Sequence, residues 1–266
     1  MPVADLGDIQ LDYWDRGEGP PVLGVMGFAL DKRFWAAQIP AVTAGNRFIA
    51  FDNRGTGRSS RKPPTTIDEA AADAVRLLDH LEIERAVAFG MSMGGTIAQR
   101  LALDHPERVS ALILGVTWAR PIEYMLRRHN LGRIILRAGN LQDFSQAALL
   151  QMFTPQFFEI GTELIDQMVA SMDAPGAPPV ADAETLLAQL DALDKHDTLA
   201  DLPRIDVPTL VIGGRMDMTV PFFGSQEIAA AIPGAKLVAL ETGHGCMIEE
   251  IETFNAAVTD FLASLR

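Results

Sequence analysis

The segment Gly90-Met91-Ser92-Met93-Gly94-Gly95 constrains the fold of this chain more than any other stretch. Before it, residues 85–89 form a short apolar run bounded by charge and glycine, the signature of a buried strand. After it, residues 96–104 carry no helix breaker until Pro106, and read as a helix. A strand that turns sharply into a helix with a serine at the apex fits the pattern G-x-S-x-G. Such a turn lifts the Ser92 hydroxyl above the sheet edge, and Gly90, Gly94 and Gly95 allow the close packing it needs. The helix start also directs free backbone N–H groups at the serine, where a negative oxygen would be held.

Around this turn, strands and helices alternate. Residues 9–15 alternate apolar and polar side chains, as an antiparallel edge strand does. Residues 22–26, 47–51, 86–89, 111–114, 209–212 and 236–240 read as strands, most of them buried. Phe34, Trp35 and Ile39 suggest a helical run that Pro40 ends. Thr66-Ile-Asp-Glu69 is a capping-box signature, followed by Ala71, Ala74, Val75, Leu78 and Leu81 on one helical face. Residues 225–232 and a final stretch carrying Phe254, Ala257, Val258, Phe261 and Leu265 read as helices.

The rhythm changes over residues 119–203. Helical stripes dominate, with Leu164, Ile165, Met168, Val169 and Met172 on one and Leu186, Leu187, Leu190 and Leu193 on another. Ala174-Pro-Gly-Ala-Pro-Pro179 between them reads as a loop. The expected class is therefore α/β, with a mostly parallel central sheet and helices on both faces. Residues 1–118 and 204–266 would form a core domain and residues 119–203 a helical cap inserted after the sixth strand.

In such sheets the reactive groups gather at the strand C-terminal ends. Ser92, Asp217 and His244 each follow an expected strand. A serine hydroxyl needs an adjacent base, histidine titrates in the useful range, and a carboxylate can fix its tautomer. The remaining histidines, His80, His105, His129 and His196, fall in helical or helix-end patterns and are assigned surface or capping roles. Cys246 is read as a small buried hydrophobe rather than a nucleophile. Met26, Met91, Met93, Met216, Met218 and Met247 flank the expected site loops and suggest an apolar pocket, with Phe28, Trp35 and Trp118 beside them.

These motifs together resemble the α/β-hydrolase family. Beyond the serine turn, Asp52-x-Arg54-Gly-x-Gly57-x-Ser59 is similar to the loop these proteins carry after their fourth strand, where Asp52 and Arg54 would organise the loop. Gly214-x-x-Asp217-x-x-x-Pro221 resembles the acid loop and Gly243-His244 the histidine loop. The resemblance is nearest to the esterase and enol-lactonase branch, including polyketide methylesterases. It implies a Ser92–His244–Asp217 triad, with Glu123 as the rival acid, and an oxyanion hole from the backbone N–H groups of Phe28 and Met93. Many relatives have His-Gly where this chain has Met26-Gly27. The expected pocket comprises Gly27, Trp35, Trp118, Met216, Met218 and Met247.

The expectation is a serine hydrolase of carboxylic esters or lactones working through an acyl-enzyme, with no cofactor and no metal. Alternatives on the same triad are a C–C bond hydrolase, a perhydrolase, a lyase, or a ligand receptor. Arg120, Arg127, Arg128, Arg133 and Arg137 lie in the cap; the alternatives there are a solvated face or a carboxylate-binding residue. A formal charge of −13 without a basic stretch disfavours nucleic acid. The single cysteine rules out an intrachain disulfide, and no secretory signal or membrane-length apolar run is evident, so a cytoplasmic setting is expected. The expected partner is a small-molecule ester or lactone, with a homodimer as the candidate assembly.

Overall fold

The computed structural model describes residues 2–139, 141–172 and 180–266. Eight strands make one sheet: β1 (Val3–Asp5), β2 (Gln10–Arg16), β3 (Pro21–Val25), β4 (Arg47–Phe51), β5 (Ala86–Met91), β6 (Val109–Gly115), β7 (Thr209–Gly214) and β8 (Lys236–Leu240). Their spatial order is β1-β2-β4-β3-β5-β6-β7-β8. β1 and β2 pair antiparallel, as do β2 and β4, and every other pairing is parallel. Residues 9–15 were expected to be the sheet edge, but the short β1, unmarked by any periodicity, covers β2 and takes that place.

The helices are α1 (Ile39–Thr43), α2 (Ile67–His80), α3 (Met93–Asp104), α4 (Glu123–Arg137), α5 (Leu141–Met152), α6 (Pro155–Ile160), α7 (Thr162–Met172), α8 (Ala183–Asp194), α9 (Phe223–Ala231), α10 (Cys246–Glu249) and α11 (Ile251–Ser264). Pro40 opens α1 instead of ending a helix, because proline at the first turn forfeits no hydrogen bond. The stretch around Phe34 and Trp35 is a separate 3₁₀ turn, Lys32–Trp35. At α2 only half of the capping box forms. Thr66 accepts from the Glu69 N–H at 3.0 Å, whereas the Glu69 carboxylate turns to Thr65 and Arg54.

Parallel strands are covered on both faces, so their sequences read as unbroken apolar runs. Two buried clusters flank the sheet. Leu23, Val25, Leu112 and Leu114 face one, together with α2 and α3. Val22, Phe48, Phe89 and Ile113 face the other, together with α11.

Helices α4–α8 lie between β6 and β7 with no strand among their described residues. The two ends of this insertion meet: the Thr198 N–H donates to the Ala119 carbonyl at 2.9 Å, and Gln99 of α3 joins Thr198 (2.6 Å) to the Trp118 carbonyl (3.0 Å). The loop expected at residues 174–179 lies outside the described residues, as does the Met172 side chain.

His196 sits at this junction, 5% exposed, and His129 on α4 is 1% exposed. Both correct the expectation of surface or capping roles, since burial among apolar helices, not helix-end position, decides their state. Burial pushes the His196 imidazole down to about 3, and burial followed by the Arg128 charge lowers His129. An unfolded chain therefore binds protons at pH 6.5 and below that the fold excludes, so stability falls as pH drops from about 6.5 toward 3. Replacement of His196 by glutamine is expected to flatten urea-unfolding free energies measured between pH 6 and 4 by up to ~1.4 kcal/mol per pH unit.

Candidate active site

The strand order reverses at β3, which has β4 on one side and β5 on the other. Loops leaving the C-terminal ends of β3 and β5 therefore start side by side, at the switch point where open α/β sheets place ligands. Val25 pairs with Gly90, so Gly27 and Ser92, each two residues further on, meet. A Cβ added at Gly27 would lie 3.1 Å from the Ser92 Cβ, a tight contact that a side chain there would have to relieve by a small shift.

Ser92 occupies the left-handed region at φ 54°, ψ −119°. For a residue with a side chain this costs on the order of 1–2 kcal/mol. The turn is held by its backbone: the Ser92 N–H donates to the Gly115 carbonyl at 2.8 Å, and the Ser92 carbonyl accepts from Thr117 Oγ1 at 2.8 Å and from the N–H groups of Gly95 (2.9 Å) and Thr96 (3.3 Å). A Cβ at Gly94 would collide with the Val25 carbonyl, so glycine alone lets α3 begin against β3.

The Ser92 hydroxyl donates to Nε2 of His244 at 2.9 Å, and Nδ1 of His244 donates to Oδ2 of Asp217 at 2.7 Å. Asp217 Oδ1 accepts from the N–H groups of Thr219 (2.7 Å) and Val220 (2.8 Å), so its orientation is fixed. Asp217 and His244 are 5% and 9% exposed. Glu123 stands apart, largely exposed at the start of α4 and paired with Arg127 at 2.8 Å.

The loop after β3 is tied down from below and above. Below it, Asn53 Nδ2 donates to the Met26 carbonyl (3.0 Å), and Asp52 accepts from both the backbone and Nζ of Lys32 (2.9 and 2.8 Å). Lys32 also pairs with Asp12, and Arg54 with Asp73 and Glu69, so the Asp52–Ser59 loop is a buried ionic brace. Above it, Phe28 meets Phe144 of α5 edge-on at 6.0 Å, and the Ala29 N–H donates to Gln189 Oε1 of α8 at 3.3 Å. The backbone N–H groups of Phe28 and Met93 have no protein acceptor among the described residues.

The inserted helices also grip the other two loops. Gly245 N–H donates to the Met152 carbonyl at 2.7 Å, and Tyr124 Oη to the Met218 carbonyl at 2.6 Å. Glu249 links Gly243 N–H (2.9 Å) to Thr154 Oγ1 (2.6 Å). Tyr124, Thr154, Gln189 and Glu249 carried no motif that could have singled them out in the sequence.

The expected pocket residues scatter. Gly27 adjoins Ser92 as described. Trp35 corrects the expectation: it is a core residue, fully buried with its ring 5.5 Å from Phe48 and 4.6 Å from Phe89. Met247 belongs to the same cluster with Met26 and Met91, while Trp118 and Met93 lie in the cluster across the sheet. Met216 and Met218 turn outward, 40% and 59% exposed. Met91 ends β5, Met93 opens α3, Met247 lies in α10, and Met26, Met216 and Met218 lie in loops, so six methionines close in sequence to the site loops divide between two buried clusters and the surface. Cys246 is buried, and burial pushes its thiol up, away from the reactive thiolate.

Gln189 is fully buried and its Nε2 has no partner among the described residues. Since its Oε1 positions the residue after Phe28, Gln189→Leu is expected to lower kcat about fivefold with less change in KM, one hydrogen bond being worth about 1 kcal/mol. Steady-state kinetics on a soluble ester check this.

Residues 20–251 match the model of a family described as the alpha/beta hydrolase fold. A candidate carbamate hydrolase, RutD, of Azorhizobium caulinodans is 33% identical over 100% of this chain and 99% of its own. The 3-oxoadipate enol-lactonase 2 of Acinetobacter baylyi is 31% identical over 94% of this chain and 92% of its own. Among solved structures, an enol-lactonase from Burkholderia xenovorans superposes with a TM-score of 0.90 at 28% identity, covering 98% of this chain and all of that one. No helix among the described residues is long and apolar enough to cross a membrane.

Proposed function

Since the chain belongs to the α/β-hydrolase family, a family of hydrolases with enol-lactonase and carbamate hydrolase relatives, we propose that it cleaves a carboxylic ester or lactone with Ser92 as nucleophile. The observation that carries this reading is the continuous hydrogen-bond line from Ser92 Oγ through His244 to Asp217. With Nδ1–H committed to the carboxylate, Nε2 is left as the acceptor that can take the serine proton. Ser92 Oγ attacks the carbonyl carbon as His244 takes that proton. The Phe28 and Met93 N–H groups hold the resulting oxyanion, each worth roughly 3 kcal/mol. Collapse expels the alcohol, protonated by His244, and leaves an acyl-Ser92. Water, deprotonated by His244, then releases the acid and restores the hydroxyl.

In this reading residues 119–203 are a cap that closes over the core built from residues 1–118 and 204–266. The contacts that support it are those of Phe144, Gln189 and Tyr124 with the oxyanion and acid loops.

A carbamate is the second reading, favoured by the RutD relative. It needs the same nucleophile and oxyanion donors, with an amine or ammonia in place of the alcohol or its partner. The experiment is a panel of p-nitrophenyl alkanoates, small lactones and a carbamate ester, run beside labelling with a fluorophosphonate probe. Turnover of esters or lactones with one equivalent of label supports the ester reading. Turnover confined to the carbamate moves the assignment to the second. No label and no turnover overturns both.

A further inference from the structure

His244 follows β8 and must reach across β7 and β6 to meet Ser92. With glycine on both sides, its loop does not fix the ring by itself. The hold comes from residues 151–154, the end of α5 and the turn into α6. The Gly245 N–H donates to the Met152 carbonyl at 2.7 Å. The Gly243 N–H donates to Glu249 Oε1 at 2.9 Å, and Glu249 Oε2 accepts from the Thr154 hydroxyl (2.6 Å) and N–H (3.2 Å). The same segment reaches the loop after β7, where Thr219 Oγ1 donates to the Gln151 carbonyl at 3.0 Å. The Thr219 N–H in turn donates to Asp217 Oδ1 at 2.7 Å.

The fit is close enough to leave little room beside His244. A Cβ at Gly243 would lie 2.8 Å from the Met152 carbonyl oxygen, and one at Gly245 would run into the Phe153 ring. Neither glycine has a positive φ, so contact with residues 152 and 153, not backbone freedom, makes glycine fit here. Thr154 is 4% exposed and also caps α6, accepting from the Phe157 N–H at 3.2 Å. A carboxylate suits the position of Glu249, because the Gly243 and Thr154 groups that meet it are all donors. A glutamine of the same shape would turn an N–H toward one of those donors.

We propose that Thr154 and Glu249 are positioning residues for the Ser92 chemistry, through which the insertion sets the His244 ring between Ser92 and Asp217. This rests on the serine-hydrolase reading above. With the N–H groups on both sides of His244 committed, the 2.9 Å and 2.7 Å contacts of its ring are held before substrate arrives. Loss of the Thr154–Glu249 link frees the loop to drift, and reacting groups misplaced by about 1 Å lose up to ~100-fold in rate. Both residues act through His244, so its proton transfers slow while substrate affinity stays.

The test is steady-state kinetics on whichever substrate of the panel above wild type turns over fastest, beside the rate and stoichiometry of fluorophosphonate labelling. The variants are Thr154→Val, Thr154→Ser, Glu249→Gln and the double Thr154→Val/Glu249→Gln. Thr154→Val is expected to lower kcat and kcat/KM alike by about tenfold, with KM within about twofold, and Thr154→Ser to restore most of the rate. Glu249→Gln is expected to lose about 10- to 100-fold, and the double variant no more than about twofold beyond it, since both act through one link. Each variant should still take one equivalent of label, but more slowly, because labelling needs Ser92 activated by His244. Less than one equivalent, taken at the wild-type rate, would mark a merely structural role and overturns the proposal. So do kcat values within about twofold of wild type, a loss carried by KM, or additive losses in the double variant. If label is taken without turnover, the labelling rate decides. If wild type takes no label and turns nothing over, the underlying hydrolase reading fails instead. If one single variant does not fold, the other decides. If neither folds, Glu249→Asp, which keeps the charge but withdraws the carboxylate by one methylene, is read by the same criteria.

Discussion

Replacing Ser92 by alanine is expected to lower kcat/KM on any ester or lactone by about 10⁴- to 10⁶-fold, and to abolish fluorophosphonate labelling. The size of the loss follows from what remains. The Phe28 and Met93 amides and the binding surface stay in place, so some rate above water persists, but no covalent intermediate can form. The fold should not suffer. Among the described residues the Ser92 side chain bonds only to His244, and the strained backbone at φ 54° is held by Gly115, Thr117 and Gly95 through main-chain atoms that alanine keeps. A thermal midpoint within about 3 °C of wild type would accompany the kinetic loss. Turnover that survived the substitution would remove Ser92 from the mechanism.

Asp217→Asn is expected to cost about 10⁴-fold in kcat with little change in KM. Asparagine can keep the acceptor that binds Thr219 and Val220 N–H, so the loop geometry is preserved. Its amide N–H would then face Nδ1 of His244 in place of the carboxylate. The imidazole must present Nδ1 as an acceptor and carry its proton on Nε2, the tautomer that cannot take the Ser92 proton. The imidazolium of the transition state also loses its counter-charge. The same assay run on Glu123→Gln distinguishes the rival acid: Glu123 faces solvent with Arg127, and its neutralisation should leave kcat within about twofold, as for other exposed ion pairs.

The sequence by itself determined the parallel sheet, the serine turn and the loops that carry Asp217 and His244, because each is written locally. Apolar runs mark buried strands, glycines mark the one backbone path around Ser92, and strand ends mark where reactive groups gather. Three things were left to tertiary structure. His244 follows β8, three strands from β5, some 14 Å at the usual spacing between strands. Only the folding back of the acid and histidine loops, with Met216 N–H bonded to Thr242 and Gly245 N–H to Met152, brings its ring to Ser92. Which apolar residues are core was also undecided, since Trp35 and Met216 carry the same kind of local signal. Packing of its 3₁₀ turn against Phe48 and Phe89 buries the first, and the outward turn of the loop after β7 exposes the second. Last, the five arginines after β6 are equivalent as letters. The placing of carboxylates by α8 and by α4 itself pairs Arg133 and Arg127, and the turning of one face of α4 toward Met218 leaves Arg128 without a partner among the described residues. Such pairings join residues far apart in the chain, so no local pattern encodes them.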